Sequence, residues 1–207
     1  GRSLRSRRNE RGLSTRQRVD GPGIPGFARP MRILAIAGSL RAASINAAFC
    51  RAAARLAPTG IEVEVYRGLG QLPLFNPDLE ASLPEPVRQL HEAIVRAEAL
   101  LIASPEYAHG VSGSMKNALD WLVSFEGFVA KPVAVVNTSP RAHHAYEALL
   151  ETLRTMSATV IADASVTVPL LGTCSSEAQM LDSPAVRGQI HAIFEGLRAT
   201  PRAGGLP

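Results

Sequence analysis

The sequence predicts an α/β fold in which a five-stranded parallel sheet is covered by helices on both faces. Two observations carry the prediction. Short runs rich in Ala, Val, Ile and Leu alternate along the chain with stretches of helical period. Polar, turn-forming residues stand directly after the first, third and fourth of those runs. In the strand order 2-1-3-4-5 the loops after the first and third strands flank the point where strand order reverses, and such sheets take ligands there.

The elements follow in order. Residues 32–37 are a short apolar run with Ile33, Leu34 and Ile36, ended by Gly38-Ser39. From Ser44, a plausible N-cap, Ile45, Phe49, Ala52, Ala53 and Leu56 recur at helical spacing, and Pro58-Thr59-Gly60 closes the helix. Residues 61–66 alternate apolar positions with Glu62 and Glu64, a strand with one wetter face. Residues 68–84 are a long connection, of the kind that is often functional in a small domain. A helix over 85–96 carries Val87, Leu90 and Ile94, and a third strand over 99–103 stops at Ser104-Pro105. The next helix starts near Gly113 with Met115, Ala118, Leu119 and Leu122 inward, and Lys116 and Asp120 can pair on its surface. A fourth strand over 132–137, a helix over 145–156, a fifth strand over 159–168 with room for a break, and a last helix over 177–197 with an interruption at Pro184 complete the set.

With 46% hydrophobic and 19% charged residues, 207 residues suit one domain with a full core. No apolar run reaches membrane-spanning length. The charge is uneven. Residues 1–30 hold eight arginines against Glu10 and Asp20, a net +6, while the other 177 residues hold 14 basic and 16 acidic groups, a net −2. This Arg-, Ser-, Gly- and Pro-rich segment is expected to be a disordered tail without a secretory signal, and Met31 is expected to open the folded domain, residues 31–198. Phosphate contacts by the arginines are one use for such a tail and a solvated charge run is the plainer one, so no nucleic-acid or membrane partner is assigned. Residues 199–207 are expected to fray. Cys50 and Cys174 lie far apart without metal spacing, which suits a reducing, cytoplasmic setting.

The turn after the first strand collects Ser39, Arg41, Ser44 and Asn46 at a helix N-terminus. Unpaired N–H groups and the helix dipole favour an anion there, and Arg41 can bind two phosphate oxygens at once. An ordinary strand–helix turn with a capping serine explains the same residues. The turn lacks the lysine and spacing of a Walker P-loop and is not G-x-G-x-x-G. Ser39, Ser44, His109, His143 and His144 are the raw material of a Ser–His site, but there is no G-x-S-x-G elbow and no acid set behind a histidine. His143-His144 are equally explained as solvated residues or a cap. What remains binds a phosphate and a flat group without an obvious nucleophile, which fits a cofactor that carries its own chemistry.

Three motifs extend this reading. G-S-L-R-A-A-S-I-N at 38–46, L-P-L-F-N-P-D-L-E at 72–80, and S-P-E-Y at 104–107 followed by S-M-K-N-A-L-D-W at 114–121 resemble the NADPH-dependent FMN reductase family. This is the flavodoxin-like group that includes chromate and quinone reductases. The resemblance implies a three-layer flavodoxin-like sandwich and an FMN-dependent oxidoreductase. NADPH or NADH would be co-substrate, and a quinone, flavin, metal oxyanion or similar small molecule the electron acceptor. It implies FMN phosphate contacts from Ser39, Arg41, Ser44, Ile45 and Asn46, and ring contacts from Pro105, Glu106, Tyr107, Ala108 and His109, with Ser139 and Arg141 contributed by the loop after the fourth strand. No side chain need act as acid or base. It further implies a homodimer or homotetramer, to which Leu74, Phe75, Trp121 and Leu122 could contribute, although Trp121 is equally well a core residue. Two departures stand out. Many members have Asn after S-P-E-Y where this chain has Ala108-His109, and many have a Gly-rich loop where this chain has Thr138-Ser139-Pro140-Arg141-Ala142-His143-His144. Arg141 or His143 is therefore expected to narrow the pocket. The alternatives are a flavodoxin-type FMN electron carrier, which usually presents a more acidic face, and a binding module without flavin.

Overall fold

Side-chain alternation along strand β1 (Met31–Ala37) divides the molecule into two cores. Met31, Ile33 and Ala35 join one cluster and Leu34 and Ile36 the other, as the two-residue period of a strand requires. The computed structural model describes residues 29–170, 172 and 174–200. The expected tail up to residue 28 and the frayed end from residue 201 lie outside the described residues. The chain continues through α1 (Ile45–Leu56), β2 (Ile61–Val65), α2 (Glu85–Arg96), β3 (Ala99–Ala103), the short strands β4 (Glu106–Tyr107) and β5 (Gly110–Val111), and α3 (Gly113–Asp120). There follow β6 (Pro132–Asn137), α4 (His143–Thr155), β7 (Thr159–Val160), β8 (Val166–Thr167), α5 (Glu177–Asp182) and α6 (Pro184–Arg198).

The main sheet runs β2-β1-β3-β6-β7, with β8 also on β6, and each of its pairings is parallel. This is the expected 2-1-3-4-5 order, in which β6 is the fourth strand. The fifth is broken into β7 and β8 by a 3-10 turn, Ala162–Ala164. Across the break Ser165 Oγ accepts the Val135 N–H at 3.1 Å, so the ladder loses no partner there. Helices α1, α5 and α6 pack on one face through Phe49, Met180, Ile190 and Phe194, and α2, α3 and α4 on the other through Leu90, Ile94, Leu119 and Leu153.

Several boundaries differ from the sequence expectation. Helix α4 begins two residues early, at His143, and α3 stops at Asp120, short of Leu122. The last helix is two helices, because Ser183 ends α5 and caps α6, accepting the Val186 N–H at 3.4 Å just ahead of Pro184. The long connection contains 3-10 turns at Leu69–Gln71 and Pro77–Ser82. It is pinned to α3: Asn117 Oδ1 accepts from Phe75 N at 2.8 Å, and Asn117 Nδ2 and Trp121 Nε1 both donate to Pro73 O, at 3.0 and 2.8 Å. Phe75 meets Trp121 edge to face at 5.0 Å, and Trp121 is only 2% exposed, so within this chain it is core. Lys116 and Asp120 pair at 2.5 Å on the surface, as their spacing predicts.

Candidate functional site

The loops after β1, β3 and β6 meet at the carboxyl end of the sheet around a cleft of 630 Å³. Gly38 makes their approach possible. Its N–H donates to Ala103 O at 2.8 Å, so the chain leaves β1 pressed against the end of β3. A Cβ at Gly38 would lie 2.3 Å from Ser104 Oγ and 3.1 Å from Ser104 Cα. Two serines hold the Gly38 carbonyl and a third lies beside one of them. Ser112 Oγ donates to Gly38 O at 2.5 Å, Ser114 Oγ donates to the same oxygen at 3.1 Å, and Ser104 Oγ lies 3.4 Å from Ser112 Oγ. Ser112 also caps α3. The start of α3 is thus fastened to the turn that opens the cleft.

In that turn the Ser44 N–H donates to Arg41 O at 3.1 Å, and Ser44 Oγ caps α1 by accepting the Ala47 N–H at 3.2 Å. The Ile45 and Asn46 amides stand in the first turn, where helix geometry gives an N–H no acceptor of its own. Ser39 Oγ accepts from Arg41 N at 3.4 Å, while the exposed Arg41 guanidinium has no ion-pair partner among the described residues. The Asn46 side chain holds the fold together here. Its Oδ1 accepts from Thr138 Oγ1 at 2.9 Å, and both side chains are buried. That bond ties the first loop to the loop after β6.

Of the residues expected at the site, Ser39, Arg41, Ser44, Ile45, Asn46, Pro105, Glu106, Tyr107 and Ser139 line the cleft, and Ala108, His109 and Arg141 do not. Turn geometry gives the reason in each case. Ala142 N donates to Ser139 O at 3.1 Å, which makes Pro140 and Arg141 the corner of a turn whose two ends, Ser139 and Ala142, face the cleft. Neither Arg141 nor His143, the residues expected to narrow the pocket, lines the cleft.

Ala108 and His109 form the two-residue tip of the β4–β5 hairpin, with φ of 49° and 58°. Positive φ at both positions is the type I′ geometry that favours Asn-Gly. The Asn common in the resembling family suits this turn directly. Ala108→Asn combined with His109→Gly is therefore expected to stabilise the protein by about 1–2 kcal/mol, read as a melting temperature raised by roughly 2–8 °C. An unchanged or lower melting temperature would show that the tip is relaxed as it stands.

Glu106 has a second role. Helix α4 starts after Ala142 without a side-chain cap of its own, and Glu106 Oε2 accepts the Ala145 N–H at 2.9 Å. The carboxylate thus caps α4 from another loop, where the helix dipole favours it. Three imidazoles lie together beside the same join: the His109 and His144 rings are 4.3 Å apart and tilted by 33°, and the His144 and His143 rings 4.0 Å apart and tilted by 37°. Of the two readings of His143 and His144, as solvated residues or as a cap, the first agrees with their exposure, and the cap is Glu106. Among the described residues no group of three or more His, Cys, Asp or Glu side chains is placed to hold a metal ion. Cys50 is no nucleophile either, since burial pushes its thiol up to about 12.

The cleft has one wall that sequence reasoning missed. Ser175, Ser176 and Glu177, before and at the start of α5, line it with Arg51 of α1. No local motif announces this wall, because it is joined to the turn after β1 only through the packing of α5 on α1.

A family model described as NADPH-dependent FMN reductase matches residues 31–170. An NAD(P)H-dependent FMN reductase from Pseudomonas aeruginosa is 38% identical over 112 residues, covering 53% of this chain and 60% of that protein. A quinone reductase from Escherichia coli is 33% identical over 117 residues, covering 55% of this chain and 62% of that protein. The match thus spans about three fifths of the length of these curated relatives. Among solved structures, the flavoenzyme NAD(P)H:(acceptor) oxidoreductase FerB from Paracoccus denitrificans superimposes with a TM-score of 0.68 at 25% identity, covering 81% of this chain and 97% of that one.

Proposed function

The chain belongs to the NADPH-dependent FMN reductase family, and we propose that it is an FMN-dependent NAD(P)H oxidoreductase acting on a quinone, flavin, metal oxyanion or similar small acceptor. The observation that carries this is the cleft itself, where an exposed arginine, serine hydroxyls and first-turn amides gather at one end and the β3 loop walls the other. The donor set fits a phosphate monoester. Ser39, Arg41, Ser44 and the amides of Ile45 and Asn46 hold it, and Ser139 closes the far side. Pro105, Glu106 and Tyr107 border the flat ring.

FMN, when bound, supplies the two-electron chemistry between nicotinamide and acceptor. The chain's own part is positioning. Glu106 fixes the β4–β5 hairpin to α4, and Asn46 with Thr138 fixes the first loop to the loop after β6, so the three walls keep their spacing. Backbone N–H groups of the loop after β3 would favour negative charge on a ring held there, without a side-chain acid or base. One site serves both substrates in turn.

Steady-state kinetics test this. With FMN-loaded protein, NADPH and p-benzoquinone, parallel double-reciprocal lines are expected. Intersecting lines would contradict alternating use of one site, and absence of turnover would contradict the enzyme.

Assembly as a homodimer or homotetramer belongs to the same proposal. It is supported by Leu74, which stands 84% exposed next to the Phe75–Trp121 pair. A cytoplasmic setting is supported by Cys50 and Cys174, both unpaired thiols. No helix among the described residues is long and apolar enough to cross a membrane.

A further inference from the structure

The wall formed by Ser175, Ser176 and Glu177 lies beyond the family match, which ends at residue 170. Resting on the assignment of a phosphate to the turn after β1, we propose that Arg51 is a second arginine for that phosphate monoester, oriented by Glu177.

Ser44, Ala48 and Arg51 are spaced i, i+4, i+7, and all three line the cleft, so one stripe of α1 faces it. Long side chains on a helix lean toward its N-terminus. Arg51 therefore leans over Ala48, whose methyl leaves the way open, toward Ser44 and the phosphate turn. Glu177 Oε2 accepts from Arg51 Nε at 2.9 Å, and Glu177 Oε1 lies 3.6 Å from Arg55 Nη1. Only Nε of Arg51 is used. Among the described residues its two Nη groups have no acceptor, and together they form the outer edge of the guanidinium, suited to two oxygens of one phosphate.

Charge points the same way. A phosphate monoester carries about −1.5 to −2 near neutral pH. Besides Arg41 the cleft is lined by two acids, Glu106 and Glu177, and Glu106 is committed to α4. Within the cleft Arg51 offsets Glu177, which leaves Arg41 to face the anion. Fixing the guanidinium in advance also lowers the entropy lost when an anion arrives. Ser175 and Ser176 do not compete for this role, because Gln179 Oε1 accepts both of their N–H groups and the Ser176 hydroxyl as well.

The phosphate could come from FMN or from the 2′-phosphate of NADPH, and the measurements separate the two. Dissociation constants for FMN and for riboflavin, which lacks the phosphate, are read from flavin fluorescence for wild type, Arg51→Met, Arg51→Lys and Arg55→Met. Michaelis constants for NADPH and NADH are read on the same proteins. Arg51→Met is expected to weaken FMN about 10- to 100-fold and to leave riboflavin within about 2-fold. Arg51→Lys is expected to keep part of the preference, which guards against a variant that merely folds badly. Arg55→Met, outside the cleft, is expected to keep it all. Unchanged FMN binding with a raised NADPH constant and an unchanged NADH constant would support the anion site with the co-substrate as its source. If Arg51→Met shifts neither ratio, or shifts FMN and riboflavin equally, the proposal is overturned and the Arg51–Glu177 pair only joins α1 to α5. A wild-type protein that does not prefer FMN to riboflavin would instead overturn the phosphate assignment beneath it.

Discussion

Gly38→Ala is expected to destabilise the protein by about 2 kcal/mol, a fall of roughly 4–8 °C in melting temperature, and to abolish retention of flavin through desalting. The added methyl would sit 2.3 Å from Ser104 Oγ, 2.8 Å from Ser104 Cβ and 3.1 Å from Ser104 Cα. The hydroxyl can rotate away, but the Cα belongs to the end of β3. Relief therefore requires the first and third strands to part where the cleft opens. The turn after β1 and the hairpin would then separate, which is why binding should suffer more than stability. Ser104→Gly in the Gly38→Ala background removes the two nearest atoms and is expected to restore more than half of the lost stability, a coupling of about 1 kcal/mol. A Gly38→Ala protein with wild-type melting and flavin affinity would show that the close approach of β1 and β3 is not maintained in solution.

Ser112→Ala is expected to cost a similar amount, about 2 kcal/mol, through a different mechanism. One hydroxyl, 1% exposed, donates to Gly38 O and accepts the Met115 N–H that begins α3. Its loss uncaps the helix and leaves Gly38 O to Ser114 alone. Ser114→Ala should cost clearly less, since Ser114 Oγ is half-buried, bonds at 3.1 Å and caps nothing. Chemical denaturation of both variants checks the order. Equal effects would mean that the carbonyl, and not the cap, sets the cost.

Most of the sheet was legible because its strands are apolar runs ended by polar turns, and β1, β3 and β6 begin and end within a residue of where those runs do. A break in the fifth strand was expected too, and the turn that makes it, Ala162–Ala164, carries Asp163. Side-chain roles were harder to read. Glu106, expected beside the ring, lines the cleft, and its carboxylate also caps a helix that starts 37 residues later in the chain. Asn46, expected on the phosphate, lines the cleft, and its side-chain oxygen also accepts from Thr138. Neither partner is local, so no spacing rule could announce it. Ala108-His109 concealed a type I′ turn because neither residue favours positive φ. The wall at Ser175, Ser176 and Glu177 depends on α5 packing against α1, a contact set by the tertiary fold.

The most direct test of the account is the visible spectrum of FMN-loaded, desalted protein on anaerobic addition of NADPH, with no acceptor present. Rapid bleaching of the retained flavin bands, reversed on adding a quinone, is the predicted result. Retained bands that ignore both NADPH and NADH but bleach with dithionite would contradict it, and would make the protein a flavin electron carrier instead of a reductase.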